Sequence, residues 1–265
     1  MKNTKIDWCD STWNPVTGCL HGCEYCYARN IAHRFGGFTE LEDTDLDYKE
    51  ICESNIVEIE KPLKYLNDKG KIGKSVYPFF FKPTLYRYKL DEPKKWKKGR
   101  NIFVCSMADL FGKWVPDEWI QEVFAACEKA PQHNYLFLTK NPHRYVELAE
   151  KGILRRYGNM WYGWTEVSDR KRPYILCFPY HVNTFVSAEP ILDKVHPSLG
   201  DWIIVGAETG RRKDKVIPKR EWIERIVDDC RKYKIPLFMK SSLSEIWGEP
   251  LIQEFPPNIR RYSHQ

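Results

Sequence analysis

No apolar run in these 265 residues is long enough for a bilayer-crossing helix, so no transmembrane helix and no membrane partner are expected. The segment from Met1 to Trp8 has no apolar core of the kind a secretory leader carries, and the expected location is the cytoplasm. There is no internal repeat, no low-complexity tract and no linker composition, which argues against a solenoid or a string of modules. The expectation is one domain over 1–265, with an irregular insertion at about 36–73 that includes the acidic stretch from Glu40 to Glu50. A second irregular stretch, 169–181, contains Lys171, Arg172, Pro173 and Tyr174 and reads as an inserted loop or short helix. A strong excess of one charge is also missing: the net charge is +6, milder than is usual for a surface built on phosphate contacts. The densest basic run, Lys94 to Arg100, and the later Arg211-Arg212-Lys213 read at least as well as solvated loops. Nine cysteines are an odd count, and six are scattered, so a disulfide framework is not expected. Cys105, Cys127, Cys177 and Cys230 lie in apolar surroundings and read as core thiols.

What the chain does have is a concentration of thiols. Cys19, Cys23 and Cys26 stand in Thr17-Gly18-Cys19-Leu20-His21-Gly22-Cys23-Glu24-Tyr25-Cys26-Tyr27-Ala28, a C-x3-C-x2-C spacing. Three thiolates on one tight loop can grip three irons of a four-iron, four-sulfur cube and leave the fourth iron open to a small molecule. The competing reading is a zinc site completed by His21 or Cys9, although zinc sites more often show two pairs of ligands.

Downstream of residue 100, short apolar runs alternate with amphipathic segments, the pattern of parallel βα units. Strands are expected at 101–106, 134–139, 161–165, 184–188, 202–206 and 236–240, with earlier candidates at 13–16 and 78–81. Helices are expected after Asp117 as N-cap, near Pro142, and after Pro218 with Trp222, Ile223, Ile226, Val227 and Cys230 inward. The fold class is thus α/β, a full or partial TIM-like (β/α) barrel with the cysteine loop near its N-terminus. Active sites of such barrels form at the carboxyl ends of the strands. There the sequence places Ser106 and Asp109, Thr139 and Lys140, Glu166, Glu189, Glu208 and Lys240. The plainer alternative is that Asp109, Glu189 or Thr209 only caps the turn that follows its strand.

The cysteine spacing, with Tyr25 just before the last thiol, resembles the signature of the radical S-adenosylmethionine superfamily. Further segments, Ile6 to Cys19, Ser106 to Phe111, Leu138 to Pro142, Ser187 to Leu192 and Asp201 to Gly210, resemble a phage-associated family of unknown function regarded as radical-S-adenosylmethionine-like. Gly22 to Ala28 is similar to spore photoproduct lyases, which act on DNA. The resemblance departs at Trp164-Thr165-Glu166-Val167, and the superfamily's glycine-glycine-glutamate element is not evident.

The resemblance implies a [4Fe–4S] cluster on Cys19, Cys23 and Cys26 and bound S-adenosyl-L-methionine, with Tyr25 near the adenine. Ser106, Asp109, Thr139, Lys140, Glu166, Glu189, Glu208 and Lys240 are the candidates for holding that cofactor. It also implies a one-electron donor, flavodoxin or ferredoxin, and makes nucleic acid a candidate substrate. The expected activity is generation of a 5′-deoxyadenosyl radical that abstracts hydrogen from a substrate. A hydrogen-donor cysteine is not evident; Cys105 and Cys177 are the candidates nearest to strands. Two other classes stay open: a zinc-containing nucleic-acid-binding protein without catalysis, and a cluster protein that only transfers electrons.

Overall fold

The computed structural model of the protein describes residues 4–37, 53–66, 71–169, 181–197, 200–210 and 212–259. The acidic stretch 40–50, the run 171–174, Cys177 and Arg211, all singled out from the sequence, lie outside the described residues. The first elements are β1 (Ser11–Trp13), β2 (Val16–Thr17), α1 (Tyr27–Phe35), β3 (Val57–Ile59), β4 (Lys64–Leu66), β5 (Ile72–Lys74) and β6 (Thr84–Tyr86). They are followed by β7 (Asn101–Val104), α2 (Asp117–Glu128), β8 (Asn134–Thr139), α3 (His143–Glu150), β9 (Met160–Thr165) and β10 (Asn183–Ala188). The last are β11 (Ile203–Val205), α4 (Arg220–Tyr233), β12 (Leu237–Met239) and α5 (Ser244–Trp247). The chain forms two compact units: Met1–Thr12, Lys97–Val104 and Pro131–Gln265 make one, Trp13–Trp96 and Cys105–Ala130 the other.

The first unit is organised by a seven-stranded sheet in the order β1-β7-β8-β9-β10-β11-β12, in which every pair from β7 to β12 runs parallel. Sequential parallel order is the arrangement of a partial (β/α) barrel, and β1 and β12 are the sheet's two edges. The strands bury both faces, so alternate residues serve different cores. Val186, Ala188, Ile203, Val205, Leu237 and Met239 pack with Ile223, Ile226 and Cys230 of α4. The residues between them, Phe185, Ile204 and Phe238, pack with Trp8, Phe103, Trp161 and Trp202. This second face is filled by large aromatics, and one glycine makes the packing possible. Gly163 is the cross-strand partner of Phe185, and a Cβ there would lie 2.3 Å from the ring.

The second unit holds a smaller sheet, β2-β6-β3, and a two-stranded β4-β5 ribbon. Val57, Ile59, Leu63 and Tyr86 form its core under the small sheet. Arg87, just after β6, binds Glu122 of α2 with two nitrogens and also meets Glu58 and Glu60, so one guanidinium ties β3, β6 and α2 together. The densest basic run is solvated, as expected for a loop: Lys94, Lys95, Lys97 and Lys98 are exposed, ahead of the wholly buried β7.

Three local expectations are corrected. Residues 78–81 are not a strand: Phe80 has φ 53°, and turn bonds run from Phe80 N to Tyr77 O and from Lys82 N to Phe79 O. An apolar triplet between two prolines does not by itself distinguish a strand from a turn. The strand expected at 13–16 is two strands broken at Asn14-Pro15, because proline brings no N–H to a ladder. Asp117 is the first helical residue of α2 rather than its cap; Pro116 holds that place, and Asp117 and Glu118 instead put negative charge at the positive helix end.

Candidate functional site

The cysteine loop belongs to the second unit and is held from both sides. Gly18 N donates to Met107 O at 2.9 Å, and Cys19 N donates to Phe81 O at 3.3 Å. Gly18 has φ 87°, and a Cβ there would stand 2.3 Å from Lys82 O, so the loop can lie this close only with a bare Cα. At the other end Cys26 caps α1, its sulfur accepting from Arg29 N at 3.4 Å. That places a sulfur at the partially positive end of a helix, a setting suited to an anionic ligand set.

Cys19, Cys23 and Cys26 are free thiols, each half-buried. Cys19 and Cys26 pack against Ala28, Ala32, Phe81 and Met107. Burial pushes the Cys19 thiol up to about 12, with Asp109, Cys26 and Cys23 adding to the rise. Among the described residues, no three Cys, His, Asp or Glu side chains gather closely enough to hold a single metal ion.

Beside the loop, His21 Nε2 and Asp109 Oδ2 share a hydrogen bond of 2.7 Å. Asp109 is buried, and its other oxygen accepts from Phe111 N at 3.1 Å. Asp109 thus does cap its turn, as the plainer reading held, and also holds a loop side chain. The Trp114 ring meets His21 edge-on at 4.9 Å, and its buried indole N–H has no acceptor among the described residues. Ser106 donates to Asn14 Oδ1 at 3.2 Å, while its carbonyl accepts from the Tyr27 hydroxyl at 2.8 Å. Tyr25 is half-buried on the same loop.

The remaining site candidates belong to the first unit, at the carboxyl ends of its strands. Glu189, after β10, forms an ion pair with Lys240, after β12. Gly206, after β11, leaves room for it: a Cβ there would lie 3.1 Å from Lys240 Cδ and 3.2 Å from Glu189 Cδ. Glu208 is buried and bound by two Arg212 nitrogens, Nε and Nη2, at 2.7 and 2.8 Å, and that guanidinium holds its carboxyl below the usual carboxylate range. Glu166 is fully buried and accepts from Trp164 Nε1 at 2.8 Å. Thr139 accepts from Asn141 N at 2.9 Å, a turn-capping role, and Lys140 is exposed. Thr209, offered as a cap, is also exposed. A pocket of about 490 Å³ opens at the other end of the sheet, lined by Cys230, Lys234, Pro236, Glu254 and Phe255.

Two partnerships were not anticipated. His21 enters the sequence reading only as a zinc ligand, yet it is engaged by Asp109, 88 positions away. Arg212 enters only within a basic run; its spacing of four from Glu208 was the available signal. Cys9, the other suggested zinc ligand, is buried in the first unit, and burial pushes its thiol far up. Cys105, Cys127 and Cys230 are buried, as their apolar neighbours predict, and burial raises Cys105 to about 12.

No helix among the described residues is long and apolar enough to cross a membrane. The model of a family described as protein of unknown function, DUF5131, matches residues 3–251. No curated protein and no solved structure matches the chain.

Proposed function

The chain belongs to the DUF5131 family, and we propose that it is a radical S-adenosylmethionine enzyme on a partial TIM-like barrel. The observation that carries the reading is the set of three free, half-buried thiols on one short loop at the start of a helix, two of them, Cys19 and Cys26, packed against an apolar cluster. The donor set fits a [4Fe–4S] cluster: three sulfurs, partial burial that limits water, and a helix end that favours anions. Bound there, a cluster would supply one-electron reduction of S-adenosylmethionine, with a flavodoxin or ferredoxin as electron source, and so the 5′-deoxyadenosyl radical needed for hydrogen abstraction from a substrate.

The protein's own part is to bind, orient and exclude water. Cys19, Cys23 and Cys26 would hold the cluster, and Asp109 fixes the loop through His21 and its own turn through Phe111 N. Tyr25 and Ser106, in the same unit as the loop, are the proposed cofactor contacts there. By residue type Glu166, Glu189, Glu208, Thr139, Lys140 and Lys240 suit such a cofactor, but Glu189 and Lys240 are paired with each other, Glu208 with Arg212, Glu166 with Trp164 and Thr139 with Asn141 N, so each of these pairs would have to open to serve it. Nucleic acid is the candidate substrate.

The test is anaerobic reconstitution with iron and sulfide, then dithionite and S-adenosylmethionine. The expected result is a brown protein that forms 5′-deoxyadenosine, and loss of both colour and product in Cys23→Ala. One tightly bound zinc without affinity for S-adenosylmethionine establishes the zinc-binding alternative instead. A cluster with four protein ligands and no 5′-deoxyadenosine establishes the electron-transfer one.

A further inference from the structure

The connector that follows β7 meets the cysteine loop at its entry, its middle and its exit. At the entry Gly18 N donates to Met107 O at 2.9 Å. In the middle His21 shares its hydrogen bond of 2.7 Å with Asp109. At the exit the hydroxyl of Tyr27, the first residue of α1, donates to Ser106 O at 2.8 Å. The Met107 side chain also belongs to the apolar cluster on which Cys19 and Cys26 pack. The short stretch from Ser106 to Asp109 thus supports the segment bearing Cys19, Cys23 and Cys26 along its length, so the place of the loop depends on the place of this connector.

The connector opens on a strained residue. Cys105 is buried and has φ 57°, a left-handed value that residues with a side chain rarely adopt. Strain of this kind persists where the surrounding bonds over-determine it. Two of these are backbone bonds, from Cys105 N to Trp13 O at 2.8 Å and from Ala108 N to Cys105 O at 2.9 Å. The side chain that adds to them is Asn14, half-buried in the break between β1 and β2. Its Oδ1 accepts from Met107 N at 3.0 Å and from Ser106 Oγ at 3.2 Å. A backbone N–H can only donate, so it is the amide oxygen that must face Met107. The bond from Cys105 N to Trp13 O already joins these two stretches of chain, so a merely linking role does not call for Asn14.

We infer that Asn14 is a positioning residue for the three thiols: its carboxamide oxygen locks the strained connector, and the connector sets the loop. Without that oxygen the Met107 N–H and the Ser106 hydroxyl lose their acceptor, and the turn at Cys105 is free to relax. Gly18, His21 and Tyr27 then lose a common support. The effect on the loop follows from these hydrogen bonds; its consequence for cluster assembly rests on the function proposed above.

The test is iodoacetamide labelling of the reduced, metal-free full chain, with the rate at each cysteine read by peptide mass spectrometry. Cys127, fully buried on α2 in the same unit, reports general unfolding. Asn14→Ala is expected to raise the Cys19 rate about tenfold and to leave Cys127 unchanged. Asn14→Asp keeps an oxygen acceptor and is expected to hold the Cys19 rate within about twofold of wild type. Ser106→Ala removes one of the two bonds and is expected to raise that rate about threefold. An unchanged Cys19 rate in Asn14→Ala, an equal rise at Cys127, or an Asn14→Asp rate as fast as that of Asn14→Ala overturns the proposal. If Asn14→Ala does not yield folded chain, Ser106→Ala decides, and no rise at Cys19 overturns it. After anaerobic reconstitution, Asn14→Ala is expected to retain about a tenth of the wild-type iron through gel filtration, and Asn14→Asp most of it. A wild-type chain that takes up no iron refutes the cluster, while the labelling rates still decide the role of Asn14.

Discussion

Replacing Arg212 with methionine isolates a buried carboxylate. Glu208 has a side chain only 3% exposed and is held by two charged hydrogen bonds, whereas Arg212 is 30% exposed. Breaking a buried pair from one side costs about 3–5 kcal/mol, and the partial exposure of Arg212 reduces that to about 2–3 kcal/mol at pH 7. The loss depends on pH with a definite sign. Arg212 lowers the folded-state pKa of Glu208, so the wild-type stabilisation is fully present above the unfolded value of about 4.3 and is lost as pH falls through the folded value. In Arg212→Met the stranded carboxylate is relieved by protonation. The stability gap between the two proteins is therefore wide at pH 7 and closes below about pH 4. Urea unfolding followed by tryptophan fluorescence at a series of pH values reads this gap from the midpoints. A gap under about 0.5 kcal/mol at pH 7, or one that does not narrow on acidification, refutes the reasoning.

Three further outcomes are expected. Gly163→Ala drives a Cβ against the buried Phe185 ring and lowers stability by about 1–3 kcal/mol, with part of the loss recovered when Phe185→Leu is added; additive midpoint shifts speak against that contact. Lys89 sits over the Tyr86 ring at 3.8 Å, and burial lowers its ammonium to about 8. Between that value and the unfolded value of about 10.4 the unfolded chain binds more protons, so wild-type stability rises with pH there. Lys89→Met is accordingly more stable than wild type below about pH 8, on the order of 1–2 kcal/mol, and its advantage shrinks toward pH 10 in the same unfolding assay. Asp109→Leu releases His21, and iron retention by the reconstituted protein is expected to weaken on the order of 10-fold, whereas Asp109→Asn, which keeps an acceptor for Phe111 N, retains most of it; equal retention in both, measured by iron content after gel filtration, removes Asp109 from a positioning role.

The parallel strands were legible because each is a short apolar run bounded by turn residues, and β7 to β12 fall where that pattern places them. Helix α4 was legible from the spacing of Ile223, Ile226 and Cys230, all buried. Where the signal was composition without period, it misled. Phe79, Phe80 and Phe81 are as apolar as a strand, yet the turn at Phe80 was set by contacts with Tyr77 and Gly37, the latter 43 positions away. The residue types at the carboxyl ends of the strands could be read, but not their partners. Whether Glu189 caps a turn or pairs with a cation depends on where β12 ends relative to β10, two strands away in the sheet.

By itself the amino-acid order determined the βα succession, the parallel sheet it leads to, and a loop with three thiols at C-x3-C-x2-C spacing, since periodicity, turn chemistry and near-neighbour spacing are local properties of a chain. The tertiary structure alone decided that Asp109 holds His21, that Glu189 meets Lys240, and that α1 leaves Tyr27, Ile31 and Phe35 exposed. Those outcomes follow from register and packing between distant segments. Burial and charge pairing act on positions in space, which spacing along the chain does not specify.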